Sequence, residues 1–162
     1  MKKATSYLYR EILLKVWEEI KRRDRYKDYI RFHTNLEEDI KSLEVDIQKI
    51  ISIDFDEEFC ENLYHEIYDT GFLSDTISDM KSDLVDIGAE TGTRDDDYEY
   101  PSKELAIPIT GLSDYFIGFT YYFGGGKYDT GDWKPDITET CYLLTCREEV
   151  KVVKVYEKVV EE

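Results

Sequence analysis

The chain has 162 residues and a formal net charge of −16. Its length and 41% hydrophobic content are enough for one domain with a real core, and they set it apart from disordered acidic tails. The charge repels nucleic acids and anionic membranes, so the expected partner is a basic protein surface.

Residues 4–32 read as a long amphipathic helix, with Leu8, Ile12, Leu13, Val16, Trp17 and Ile20 at steps of three and four. The charges among them (Arg10, Glu11, Lys15, Glu18) deny this segment the apolar centre of a signal peptide. A second helix is expected from Thr34 or Asn35, with Glu37 or Glu38 in the capping-box position and a stripe of Leu36, Ile40, Leu43, Ile47 and Ile50. A third follows Asp54 or Asp56, turns Phe55, Phe59, Leu63 and Ile67 inward, and stops at Gly71. The fourth, "SDTISDMKSDLVDI", takes Ser74 as its N-cap and buries Ile77, Met80, Leu84 and Ile87 before Gly88.

Residues 89–103 lack any period and read as a linker loop. Beyond it, "ELAIPI", "DYFIGFTYYF", "ITETCYLLTC" and "EVKVVKVYEKVV" are rich in β-branched and aromatic residues and read as strands. Pro108 places the first at a sheet edge or strand end, and the phase of the valines in the last suggests a bulge near 152–153. The expected architecture is α+β. A bundle of about four helices (1–88) precedes a small antiparallel meander of three to four strands (104–162), the two sharing one core.

No motif names an enzyme. In "FGGGKYDTGDWKPD" the glycines precede Lys127, but Tyr128 follows where a phosphate loop needs Ser or Thr, so a hairpin loop is expected. Asp129, Asp132 and Asp136 share that stretch without the closing glutamate of a calcium loop; a metal-dependent hydrolase built on them is the weakest reading. Cys60 and His65 lie five apart and fall on different helix faces, and Cys141 and Cys146 point to opposite faces of one strand. All three cysteines read as structural and reduced, which fits a cytoplasmic location, the host's if the chain is phage-encoded. No cofactor or metal is expected. No apolar run reaches the roughly 18 residues that span a bilayer.

Charge is the informative feature. Residues 1–34 carry 10 basic and 5 acidic side chains, residues 35–100 carry 4 and 21, and residues 101–162 carry 7 and 11. The middle segment therefore holds −17, with +5 before it and −4 after it. Solubility does not need that excess, and self-repulsion opposes folding. Laid side by side as three helices, the segment would show about one net charge per 2 Å of axis, against about 1.7 Å for duplex DNA.

In size, charge and helical acidity the chain is similar in kind to the DNA-mimic inhibitors that bacteriophages and mobile elements use against restriction or CRISPR nucleases. The expected function is non-enzymatic inhibition by occupying a basic nucleic-acid-binding surface. The expected contacts are Glu37, Asp39, Glu44, Asp46, Glu57, Glu58, Glu61, Asp75, Asp79, Asp83 and Asp86 on the helices, with Asp95, Asp96 and Asp97 in the loop. The rival is an assembly module that binds through the aromatic sheet at Tyr121, Tyr122 or Trp133. Homodimerisation belongs to this rival, with the basic first helix of one copy packed on an acidic helix of another.

Overall fold

A computed structural model describes residues 2–22, 36–69, 73–95, 101–122 and 136–146. Four helices come first: α1 (Ala4–Arg22), α2 (Leu36–Ile50), α3 (Glu57–Asp69) and α4 (Ser74–Ile87). An antiparallel sheet follows, in the spatial order β1 (Ala89–Asp95), β2 (Ser102–Ile109), β3 (Leu112–Tyr122) and β4 (Tyr142–Thr145). This is an α+β fold with a helical N-terminal part and a β-meander. The caps at Thr34 and Asn35, residues 23–32, the stop at Gly71, most of the glycine loop and the final valine-rich strand lie outside the described residues.

The apolar stripes explain the packing. Leu43, Ile47 and Ile50 of α2, Leu63 and Ile67 of α3, and Ile77, Met80 and Leu84 of α4 are buried in one cluster with α1. From the sheet, Leu105, Ile107 and Ile109 of β2 join it at period two, with Ile117 and Phe119 of β3. Asp56 caps α3, its carboxylate accepting from the Phe59 N–H at 3.0 Å.

The first helix departs from the expected one-sided stripe. All residues from Ser6 to Leu13 are buried, including Arg10 and Glu11. Helix α1 is therefore central, with α2, α3, α4 and the sheet around it. Its buried charges are satisfied. Arg10 donates from Nε to the Ile50 carbonyl at 2.7 Å, from Nη1 to Glu11 at 2.8 Å and to the Thr110 carbonyl at 3.0 Å, and from Nη2 to the Ile51 carbonyl. Glu11 in turn accepts from the Thr110 N–H at 3.1 Å and hydroxyl at 2.6 Å. One ion pair thus closes the C-terminal end of α2 and fixes the β2–β3 turn, where Gly111 sits at φ +89, a conformation that excludes most side chains.

Other departures follow from packing. Residues 89–95, expected in a loop, form β1, because backbone pairing with β2 (Ala89 opposite Ala106) needs no apolar alternation on an edge strand. Pro108 lies near the end of β2, past the last residue paired to β1, where its missing N–H removes no bond on that side. Leu73, not Ser74, holds the N-cap position of α4 and makes no side-chain cap bond. Ile87, expected inside, is 58% exposed. Gly88 ends α4 with an extended backbone; a Cβ there would lie 3.0 Å from Leu105 Cβ, so close approach of helix to sheet selects glycine.

Replacing Arg10 by Met leaves Glu11 buried without its partner and two helix-end carbonyls without donors. The expected loss is about 3–5 kcal/mol of unfolding free energy, measured by denaturant titration. On the outer sheet face the Tyr142 ring covers Gly118, where a Cβ would lie 2.6 Å from it. Gly118→Ala should cost about 1–3 kcal/mol in the same assay.

Candidate interaction surface

The helices α2, α3 and α4 surround α1, and their outer faces carry the acids. On α2, Glu38, Asp39 and Glu44 are exposed. On α3, Glu58, Glu61, Glu66 and Asp69 are exposed; on α4, Asp75, Asp79, Asp83 and Asp86 are exposed. Helix α3 contains no Lys or Arg, and α4 contains Lys81 alone. The two helices pack on α1 and on each other, and together they carry eight exposed carboxylates and no exposed Lys or Arg.

The expected contact residues divide into three groups. Asp39, Glu44, Glu58, Glu61, Asp75, Asp79, Asp83 and Asp86 face solvent. Glu57 and Asp46 are engaged within the chain. The Glu57 carboxylate accepts from the Lys3 N–H at 3.1 Å and the Ser6 hydroxyl at 2.9 Å; the first of these bonds leads in holding it below the usual glutamate range. Asp46 is half-buried and pairs with Lys49 at 2.6 Å. Glu37 lies in α2 and Asp95 ends β1, and Asp96 and Asp97 lie outside the described residues. Glu38, Glu66 and Asp69 are also exposed and were not among the expected contacts. Their signal was helical phase, since Glu66 is two turns from Glu58, and Asp69 two turns from Glu61.

The destination of Lys81 explains why these carboxylates stay uncompensated. Its ammonium pairs with Asp136 at 2.7 Å, its side chain 15% exposed. It also lies 5.6 Å from the Tyr64 ring centre and 5.2 Å from that of Tyr68, within cation–π range. Burial alone would lower the Lys81 pKa. Hydrogen bonds to Asp136 and Tyr64 outweigh it and hold the ammonium above its ordinary 10.5. Burial would likewise raise Asp136, yet the Lys81 bond and the Thr138 N–H hold it below 3.8. The single cation of these two helices is thus committed to joining α4 and α3 to the stretch before β4.

Local energetics disfavour several of these acids inside the chain alone. Asp75, Asp79 and Asp83 are like charges at i, i+4, each pair costing about 0.2–0.5 kcal/mol. Asp69 and Asp86 sit in the last turns of their helices, where the backbone dipole disfavours anions, while Glu58 and Asp75 sit in first turns, where it favours them. The exposed face of α4 alternates these aspartates with Ser78 and Ser82, whose hydroxyls donate back to the carbonyls four residues earlier. Short side chains on that face lose little rotamer entropy on contact.

The other candidate groups have structural settings. Cys60 is fully buried and its thiol is pushed up to about 12, chiefly by burial, while His65 is exposed and meets Tyr9 and Tyr64 edge-on. Cys141 is half-buried beside Thr5 and Cys146 is exposed. Tyr121 packs against the core, and strand alternation sends Tyr122 to the opposite face. Asp129, Asp132 and Trp133 lie outside the described residues. Among the described residues, no group of three or more His, Cys, Asp or Glu side chains could hold a metal ion, and no helix is long and apolar enough to cross a membrane. In the first helix Arg10 is buried and pairs with Glu11, while Glu18, Lys21 and Arg22 are exposed, Arg22 lying 3.9 Å from Glu19.

Comparison with protein-family models, with curated proteins and with solved structures found no match.

The Lys81–Asp136 pair makes a pH prediction whose sign follows from the shifts. Asp136 is lowered when folded, so its contribution is present above pH 3.8 and lost as pH falls through the folded value. Lys81 is raised, so its contribution is present below pH 10.5 and lost as pH rises through the folded value. The stability gap between the native chain and Asp136→Asn, from denaturant titrations across pH, should be open at neutral pH and begin to close below about pH 3.8.

Proposed function

We propose that this chain is a non-enzymatic inhibitor that occupies the basic, nucleic-acid-binding surface of a partner protein. The observation that carries the reading is the acidity of α3 and α4, with Glu58, Glu61, Glu66, Asp69, Asp75, Asp79, Asp83 and Asp86 exposed and Lys81 withdrawn to Asp136. Carboxylates held on rigid helices stand in for phosphates, and each pairs with a partner Lys or Arg through charge-assisted hydrogen bonds. Release of counterions from the basic surface contributes to affinity, as it does for DNA itself. Against such a surface, the repulsion among Asp75, Asp79 and Asp83 becomes attraction to the partner.

Phage-encoded inhibitors of restriction or CRISPR nucleases are the setting in which this reading fits best, with the host cytoplasm as the compartment. No cofactor takes part. Direct binding to nucleic acid or membrane is opposed by the net charge of −16.

The test is capture of partners from bacterial lysate at low and raised salt, with and without duplex DNA. The captured proteins should bind nucleic acid and be displaced by the DNA. Their retention should fall by about 100-fold or more between about 50 and about 200 mM salt. The triple variant Asp75→Lys, Asp79→Lys, Asp83→Lys should lose them. Capture that is flat with salt, indifferent to DNA or intact in the triple variant overturns the reading.

A further inference from the structure

Between α2 and α3 lies an open groove of about 310 Å³. Its floor is apolar: Ile40 and Leu43 from α2, Leu63 and Ile67 from α3, and Leu73 before α4. Its rim is acidic, with Asp39 and Asp46 on one side and Glu66 on the other, and no basic residue lines it among the described residues. Lys49, the nearest cation in sequence to Asp46, is bonded to that carboxylate and lies 4.7 Å from the centre of the Phe59 ring. Asp39 and Glu66 are exposed, which leaves two outward carboxylates flanking an apolar slot.

We infer that this groove receives an arginine side chain from a basic segment of the partner, its stem on the apolar floor and its guanidinium between Asp39 and Glu66. Charge complementarity selects the occupant. Anionic ligands are repelled, and a second copy of a chain with net charge −16 is repelled as well. A cation with an aliphatic stem satisfies both the floor and the rim. Arginine fits better than lysine because its planar guanidinium is weakly hydrated and offers donors in two directions, whereas an ammonium loses more hydration on entering. The groove is at the small end of ligand-site volumes, suited to one long side chain rather than a whole helix. The inference deepens the proposed function: phosphate imitation needs only charge, but this slot distinguishes one cation from another.

The experiment compares binding of the full chain to oligoarginine and oligolysine peptides of equal length by fluorescence anisotropy. The native chain should prefer oligoarginine by about tenfold, the ratio of one additional well-placed charged hydrogen bond. The double variant Asp39→Asn, Glu66→Gln should bring that ratio close to one. So should Ser42→Trp, which fills the slot from an exposed lining position without altering charge. The control Asp83→Asn, Asp86→Asn removes the same charge from α4; it should weaken both peptides and keep the preference. Equal affinity for the two peptides, or a preference that survives both groove variants, overturns the inference. The inference rests on the reading of the acidic helices, but the two fail separately. Equal peptide affinity removes the slot alone, while an arginine preference without displacement of partners by DNA removes the inhibitor reading and keeps the slot.

Discussion

The buried guanidinium of Arg10 is the constraint on which the other elements depend. A charge at 1% exposure is tolerated only when its donors find acceptors, and here the acceptors come from three separate places. The carbonyls of Ile50 and Ile51 close α2, Glu11 sits one residue along α1, and the Thr110 carbonyl belongs to the β2–β3 turn. Helix α1 is thereby pinned at the centre of the molecule, and the remaining helices and the sheet are arranged around it. Apolar contacts supply most of the driving force. The Arg10–Glu11 pair sets where α2 ends and where the sheet turns.

Placing the basic helix inside has an electrostatic consequence. Arg10 is engaged by carbonyls and Glu11, and Lys81 by Asp136 and two tyrosine rings. These two cations hold the frame together, whereas Lys41 and Lys49 stay exposed on α2. The outer surface of α3 and α4 is left with carboxylates, some repelling one another along α4 and some at helix ends that disfavour anions. The fold accepts these local costs on the exposed faces of α3 and α4 while its buried side-chain polar groups among the described residues are hydrogen-bonded. The α2–α3 groove adds an apolar floor beneath its acidic rim.

Much of this was legible in the sequence. Helix positions followed from three- and four-residue apolar steps, and the strands after residue 103 from β-branched and aromatic runs. The acidic excess of residues 35–100 was a matter of counting, and the surface that Asp75, Asp79 and Asp83 share followed from their spacing. Strand β1 was not legible, because an edge strand of small and polar residues shows no alternation. The burial of Arg10 and Glu11 was not legible either: charges between apolar residues read as the solvent side of a stripe until a helix proves to be surrounded. Glu57 looked like any exposed acid, and its engagement with Lys3 and Ser6 depends on residues more than fifty positions away.

The sequence by itself therefore determined the α+β order, the apolar faces and the location of the charge excess, since each depends on periodicity or composition within a local window. Tertiary structure alone decided which charges are engaged and which remain. Lys81 stands two residues from both Asp79 and Asp83, and nothing local says that it will turn to Asp136, 55 residues on. That choice arises from packing, because the ammonium of Lys81 lies over the Tyr64 and Tyr68 rings and must then meet a carboxylate within the same half-buried site. The same packing that stabilises the fold leaves the aspartates of α4 facing outward, with the helix's one cation withdrawn from them.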